Sequence, residues 1–288
     1  MSGPYAGYSQ DRRPQKKRKV EVPHALLGPG WERYDATGLA PHYTHAGQVP
    51  HHIRKYFAQR QRYFSLYNEG CLLDEEGWYS VTPERMSMYD HSRCFCGVGG
   101  NAIAFAQTCE RVIAVDNSAV RLALARHNAV IYGVQDRIEF ILADFPSFVR
   151  SLQVAPATEK VSGGQPDRPR NRLSTQIDVA FLSPPWGGPS YISSPSKSQS
   201  ASSPPHPEFT MDMTAPLPGD QLFSLARSIT PHVAYYLPRN TNLEEIAGLV
   251  DPKEEKVEIE EEWMGSKLKA LTFYFGGLVN GQEHLWID

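Results

Sequence analysis

No apolar run in the sequence approaches the ~20 residues that a membrane span needs, so a soluble chain that is not secreted is expected. Metal-ligand spacing is missing too. The four cysteines, Cys71, Cys94, Cys96 and Cys109, include one Cys-x-Cys but no second pair and no spaced histidine. That pattern is weak for zinc and fits reduced thiols in an intracellular protein. The histidines are scattered, and His51 and His52 have no carboxylate or thiol at ligand spacing, so they read as a solvated pair. Internal repeats are absent. So is a dominant charge sign, since the net charge is only −3 over 288 residues.

What is present is uneven. Residues 12–19 carry six positive charges in eight positions, whereas the last forty residues are rich in glutamate. A basic run this dense, inside a polar Gly/Pro-rich segment 1–22, reads as a disordered tail. It would be held by an import receptor or serve as a loose RNA-binding arm, and a nuclear location, with the nucleolus as an extension, follows. With 41 % hydrophobic and 21 % charged residues, the remainder can bury one large core. Ile53, Tyr56, Phe57, Arg60, Phe64 and Tyr67 recur at threes and fours, which predicts one helix with an aromatic face across residues 50–67 of an N-terminal extension, 23–79. Ala155 to Arg172 and Ser193 to Pro207 lack large apolar residues and read as linkers, within insertions near 151–176 and 193–218 of a domain spanning 80–288.

Between these breaks, strands and helices alternate. Strands are predicted at Arg111 to Val115, Arg137 to Leu142, Ile177 to Leu182 and His232 to Leu237. Helices are predicted at Ala119 to Tyr132, Leu222 to Ile229 and Leu243 to Val250, and Lys256 to Phe275 reads as a terminal antiparallel hairpin. The expected fold is α/β, a mostly parallel sheet with helices on both faces and ligands at the carboxyl ends of its strands.

Two motifs lie at such ends. In Phe95 to Asn101, Gly97 and Gly99 permit a tight backbone turn, and Asp116 follows Gly97 by nineteen positions, where an acid can accept from ribose hydroxyls. The third glycine of a dinucleotide fingerprint is missing. Asp144, ending the next strand, stands where an adenine amino group would be held, and this order of loop and two acids fits S-adenosyl-L-methionine better than a nicotinamide. Either acid could equally be a helix N-cap. The second motif is Ser183-Pro184-Pro185-Trp186-Gly187-Gly188-Pro189. Its consecutive prolines fix φ and remove N–H donors, so the Ser183 and Pro184 carbonyls become acceptors suited to an exocyclic amine, beside an aromatic that can stack on the ring bearing it. The plainer reading is a turn anchored by Trp186.

Together with Lys55 to Arg60, Glu76 to Glu84 and Leu237 to Asn240, these motifs resemble the trimethylguanosine synthases from about Lys55 to Val279. The resemblance implies a Rossmann-like class I methyltransferase with an N-terminal helical extension. Its activity would be S-adenosyl-L-methionine-dependent transfer to the N2 amine of 7-methylguanosine caps on small nuclear and nucleolar RNAs, giving 2,2,7-trimethylguanosine. It implies that Trp186 stacks on the methylated base and that Ser183 and Pro184 orient the amine. Lys55, Tyr191 and Arg239 would hold the cap phosphates, with Phe64 on a helix closing over both ligands. Thr82, Gly97, Gly99, Asp116 and Asp144 would form the cofactor shell. Lys55 and Arg239 also read as ordinary surface charges. Ribonucleoprotein partners would recruit the enzyme.

One departure is large. Between Pro83 and Phe95 the family has a helix and then the central first strand of the sheet, but here eleven polar-leaning residues stand for both. The strand is expected to be shortened or missing, and the usual acid before the glycines is replaced by Arg93. The alternative is therefore an inactive cap-binding protein or splice product. A third reading, a base-in-strand amino-methyltransferase, would call for Asp or Asn at Ser183 and gives Lys55 and Arg239 no task.

Overall fold

A computed structural model describes residues 25–84, 96–153, 177–186 and 208–280. The basic tail, most of the short segment before the glycine loop, the bodies of both linkers and Tyr191 lie outside them.

The aromatic-faced segment is not one helix. His51–Ile53 forms a single 3-10 turn, followed by the short helices α1 (Arg54–Phe57) and α2 (Arg60–Tyr63), and Phe64 is already extended at φ −136°. Packing overrides periodicity here. Phe57, Phe64 and Tyr67 are buried, and Phe57 and Tyr67 turn their rings towards Trp78 of α3 (Gly77–Ser80), with centroids 6.0 and 5.5 Å away. Aromatics lose rotamer freedom in a helix, so tertiary contacts easily break a weak one.

The part after the extension starts with α4 (Gly100–Thr108), β1 (Val112–Asp116) and α5 (Ala119–Ile131). Ser118 caps α5 by accepting from the Arg121 N–H at 3.3 Å. Next come β2 (Ile138–Leu142) and α6 (Phe145–Gln153), whose last turn occupies the start of the expected insertion. Strand β3 is only Ala180–Leu182. Residues 208–218 are not linker. Phe209 and Met211 are buried, and Phe209 bridges to Thr241, anchors that average composition hides. They lead to α7 (Gly219–Arg227), β4 (Val233–Pro238), α8 (Leu243–Ala247) and the hairpin of β5 (Glu258–Met264) and β6 (Lys267–Phe275), turned at Gly265 with φ +66°.

Among the described residues the strands form two groups. Strands β1 and β2 pair in parallel, and the second group runs β3-β4-β6-β5, parallel at β3-β4 and antiparallel beyond. The expectation of a shortened or missing first strand falls on residues 85–95, which lie outside the described residues; just after them the Cys96 N–H donates to the Val115 carbonyl of β1 at 2.8 Å. Side chains pack between the two groups. Val112 and Ala114 share a buried cluster with Phe181 and Ala234, Val115 shares another with Ala180 and Leu182, and Phe105 of α4 meets Phe181 edge-on at 5.3 Å. No described helix is long and apolar enough to cross a membrane.

Candidate functional site

The carboxyl ends of β1, β2, β3 and β4, the extension and the β5–β6 turn enclose a cleft of about 1070 Å³. A single small-ligand pocket usually measures roughly 300–1,000 Å³, so there is room for two ligands side by side.

On one side the backbone turns at Gly97, φ +51°, where a Cβ would meet no heavy atom within 4 Å. The loop is braced from below. Asp116 accepts from the Gly97 N–H through Oδ2 and from the Ser118 N–H through Oδ1, both at 2.8 Å. A carboxylate offers about four lone-pair sites, so it can brace the loop and still accept from a ligand. Asp144 also lines the cleft and caps α6. The Ser147 backbone and hydroxyl hold its carboxyl below the usual range, so the capping reading is correct whatever else it binds. Thr82 is buried in the wall, and its Oγ1 finds no hydrogen-bond partner among the described residues. A buried hydroxyl left this way is costly unless a ligand completes it.

Across the cleft, Ser183, Pro184, Pro185 and Trp186 follow β3. The Pro185 carbonyl accepts from the Ala215 N–H at 3.3 Å, and Ser183 and Pro184 line the cleft beside it. Trp186 is half-buried and stacked on Tyr236 of β4, centroids 5.2 Å apart and planes at 26°. Trp186 anchors the loop on Tyr236 and also lines the cleft. Tyr236, missed in the sequence because it reads as ordinary strand core, supplies the second ring.

Lys55 enters from the extension, its ammonium 4.8 Å from the Tyr56 ring centroid. Facing it is a cation source that sequence reading missed. Lys267 and Lys269 line the cleft from the hairpin. Burial pushes the Lys269 pKa down, and the charges of Lys267, Arg239 and Lys55 push it further, a concentration of positive charge that an anion would relieve. The signal available was alternation in β6, which sets residues 267 and 269 on one face.

Three expected site residues are placed otherwise. Gly99, φ +94°, does not line the cleft. Its missing Cβ would sit 3.0 Å from Ala125 Cβ, so it is there for the α4–α5 approach. Phe64 is buried in the core against Tyr132, centroids 6.2 Å apart, beneath the cleft wall. Arg239 is exposed, reaches the Leu268 carbonyl at 3.4 Å and contributes only from beside Lys269. Among the described residues no group of three or more His, Cys, Asp or Glu could hold a metal.

Comparison with known proteins agrees with this geometry. Residues 91–278 match the profile of the RNA cap guanine-N2 methyltransferases. A trimethylguanosine synthase of Schizosaccharomyces pombe is 34 % identical over 212 residues, 69 % of this chain and 76 % of that protein. One of Saccharomyces cerevisiae is 28 % identical over 210 residues, covering 67 % of this chain and 56 % of the relative. A solved structure from Porphyromonas gingivalis W83, assigned as a methyltransferase, superposes with a TM-score of 0.50 at 12 % identity, over 79 % of this chain and 51 % of its own, a likeness of fold alone. The fold is the Rossmann-like class I methyltransferase fold, and the chain belongs to the RNA cap guanine-N2 methyltransferase family.

Proposed function

We propose that this protein methylates the N2 amine of 7-methylguanosine caps on small nuclear and nucleolar RNAs, in two successive transfers that end at 2,2,7-trimethylguanosine. The observation that carries this is the Ser183–Trp186 loop, with Trp186 stacked on Tyr236, facing the Gly97–Asp116 turn across one cleft. S-adenosyl-L-methionine fits the side formed by Thr82, Gly97, Asp116 and Asp144: an orphaned hydroxyl, an open backbone turn and two acceptors at strand ends. When bound there it supplies an electrophilic methyl group.

The chain's own groups do the rest. The cationic methylated base would join the Trp186–Tyr236 stack, an attraction worth up to about 2 kcal/mol when desolvated. The Ser183 and Pro184 carbonyls would accept from the N2 amine and turn it towards the methyl. As the bond forms, positive charge grows on that nitrogen, and fixed acceptors favour it without reorganising. No strong base is required, because water takes the proton once the amine has been alkylated. Lys55, Lys267 and Lys269, with Arg239 beside them, would hold the cap phosphates. A nuclear location, import through the basic run at residues 12–19 and recruitment by ribonucleoprotein partners complete the proposal.

The test is incubation with S-adenosyl-L-methionine and 7-methylguanosine diphosphate, followed by mass analysis. Successive gains of one and two methyl groups are expected, abolished in Trp186→Ala. A time course that stalls at the dimethyl product would remove the second transfer. Cap binding with no transfer would leave only a cap reader.

A further inference from the structure

A continuous chain of contacts runs from the glycine turn into the extension. The Gly97 and Ser118 N–H groups donate to Asp116, and Ser118 Oγ accepts from the Arg121 N–H. The Arg121 guanidinium then leaves α5 and forks. Its Nε donates to Asp74 Oδ2 at 3.2 Å and its other arm pairs with the Glu76 carboxylate. Asp74 Oδ1 in turn accepts from the Gly77 N–H at 2.8 Å, fixing the start of α3. Arg121 and Glu76 are both part of the cleft wall.

The fork holds a body that serves both sides of the cleft. Three residues past α1, which carries Lys55, the chain enters α2, and α1 also rests on α3 through the Tyr56–Tyr79 ring contact at 6.4 Å. The residues after α3, Val81 and Thr82, form the opposite wall. Seating leaves no slack: a Cβ on Gly100 would fall 2.7 Å from Val81 Cγ2, and one on Gly77 would fall 3.1 Å from Val98 Cγ1. Burial works against the Arg121 charge, yet Glu76 and Asp74 hold its pKa above the ordinary value, so the charge is at home there. A planar guanidinium reaches two carboxylates in one geometry, which an ammonium does not.

We infer that Arg121 is a positioning residue that pre-organises both halves of the cleft at once, by clamping the extension to the catalytic core through Asp74 and Glu76. The inference rests on the cofactor and cap assignments proposed above. Without the clamp, the extension spends part of its time unseated, and any ligand that needs it seated binds more weakly in proportion to the seated fraction. Both ligands must then lose the same factor. Either one, once bound, restores the other, because it has already paid for seating.

The test is calorimetry on the full chain, titrating S-adenosylhomocysteine and 7-methylguanosine diphosphate, each alone and each with the other saturating. In the wild type the two should bind nearly independently. In Arg121→Gln each alone should weaken by a common factor of about ten, and each should return to within about two-fold of wild type when the other is saturating. Arg121→Lys should fall between. Loss confined to one ligand, loss that survives saturation with the other, or no loss would each overturn the clamp. If Arg121→Gln does not fold, Glu76→Gln, which keeps the Asp74 arm, must show the same common factor, smaller in size. A wild type that binds neither ligand would sink the proposed function itself. One that binds both, with Arg121→Gln unchanged, sinks the clamp alone.

Discussion

The two groups of strands are held in place by opposite means. Around β1 and β2, buried polar side chains grip the backbone of the extension and of the glycine loop. Asn128 of α5 donates to the Leu72 and Val98 carbonyls, both at 2.9 Å, and accepts from the Leu72 N–H at 2.8 Å. Its neighbour His127 accepts from the Ala36 N–H through Nδ1 and lies 3.1 Å from the Gly70 carbonyl through Nε2, which fixes the neutral tautomer. Both residues are fully buried. Around β3, β4, β6 and β5 the interior is mostly Phe181, Tyr235, Phe273 and Phe275, and its buried polar groups bond within this half: Thr272 to Glu262 at 2.6 Å, Thr241 to the Pro238 carbonyl at 2.6 Å and Tyr235 to the Gly219 carbonyl at 3.2 Å. An added wall must be placed to within hydrogen-bond geometry, and polar groups do that. A sheet already ordered by its own ladder needs only apolar filling.

This contrast can be tested, beginning where the halves meet. Phe105→Ala removes the ring that touches Phe181 between the two groups, and a loss of about 3–5 kcal/mol is expected in urea unfolding. A much smaller loss would mean that the halves are joined by something other than these side chains. Asn128→Leu keeps the volume and strips three backbone groups of their partner, so about 2–4 kcal/mol should go. If it costs less than Ile103→Val in the apolar core beside it, the polar latch is ornamental.

pH should separate the halves by sign. Burial pushes the Glu262 carboxyl up to about 7, with the Thr272 hydroxyl opposing and Glu260 adding. The folded protein then keeps a proton that the unfolded chain releases above its ordinary 4.5, so this half is favoured at low pH and loses stability as pH rises through about 7. Burial lowers the His127 pKa below its ordinary 6.5, against the pull of Gly70 and Asp35. Here the unfolded chain takes the proton first, so the extension's seat weakens as pH falls below that value. In melting curves Glu262→Gln should gain a few degrees over wild type at pH 8 and little at pH 4. The smallest effect expected is from Gly97→Ala, where a side chain at φ +51° costs about 1 kcal/mol of backbone strain with no packing clash. S-adenosylhomocysteine affinity should fall with little change in melting temperature.

Periodicity and strand ends made much of this molecule legible. The strands that lead to Asp116 and Ser183 and the terminal hairpin all follow from short patterns. The extension did not, because what breaks its helix is Trp78, which lies well down the chain from Phe57. Nor did His127 and Asn128, which fall on the inward face of α5 and differ from core residues only in what they touch. Arg121, Asp74 and Glu76 look like any charged surface until the fold brings them to one wall. Tyr191 and the glycines after Trp186, prominent in the sequence, lie outside the described residues.

The place of β6 bears on how the chain is made. Strand β4 is buried along its whole length and pairs on one side with β3, only three residues long, and on the other with β6. On a ribosome, the β1–β2 unit can pair while synthesis continues, but β4 must wait for residues 267–275 with most of its ladder open. Through that interval an apolar strand stands as an unfinished edge, the form most prone to pair with another copy. The same hairpin delivers Lys267 and Lys269, so two of the cleft's cations arrive only after β4 has been made.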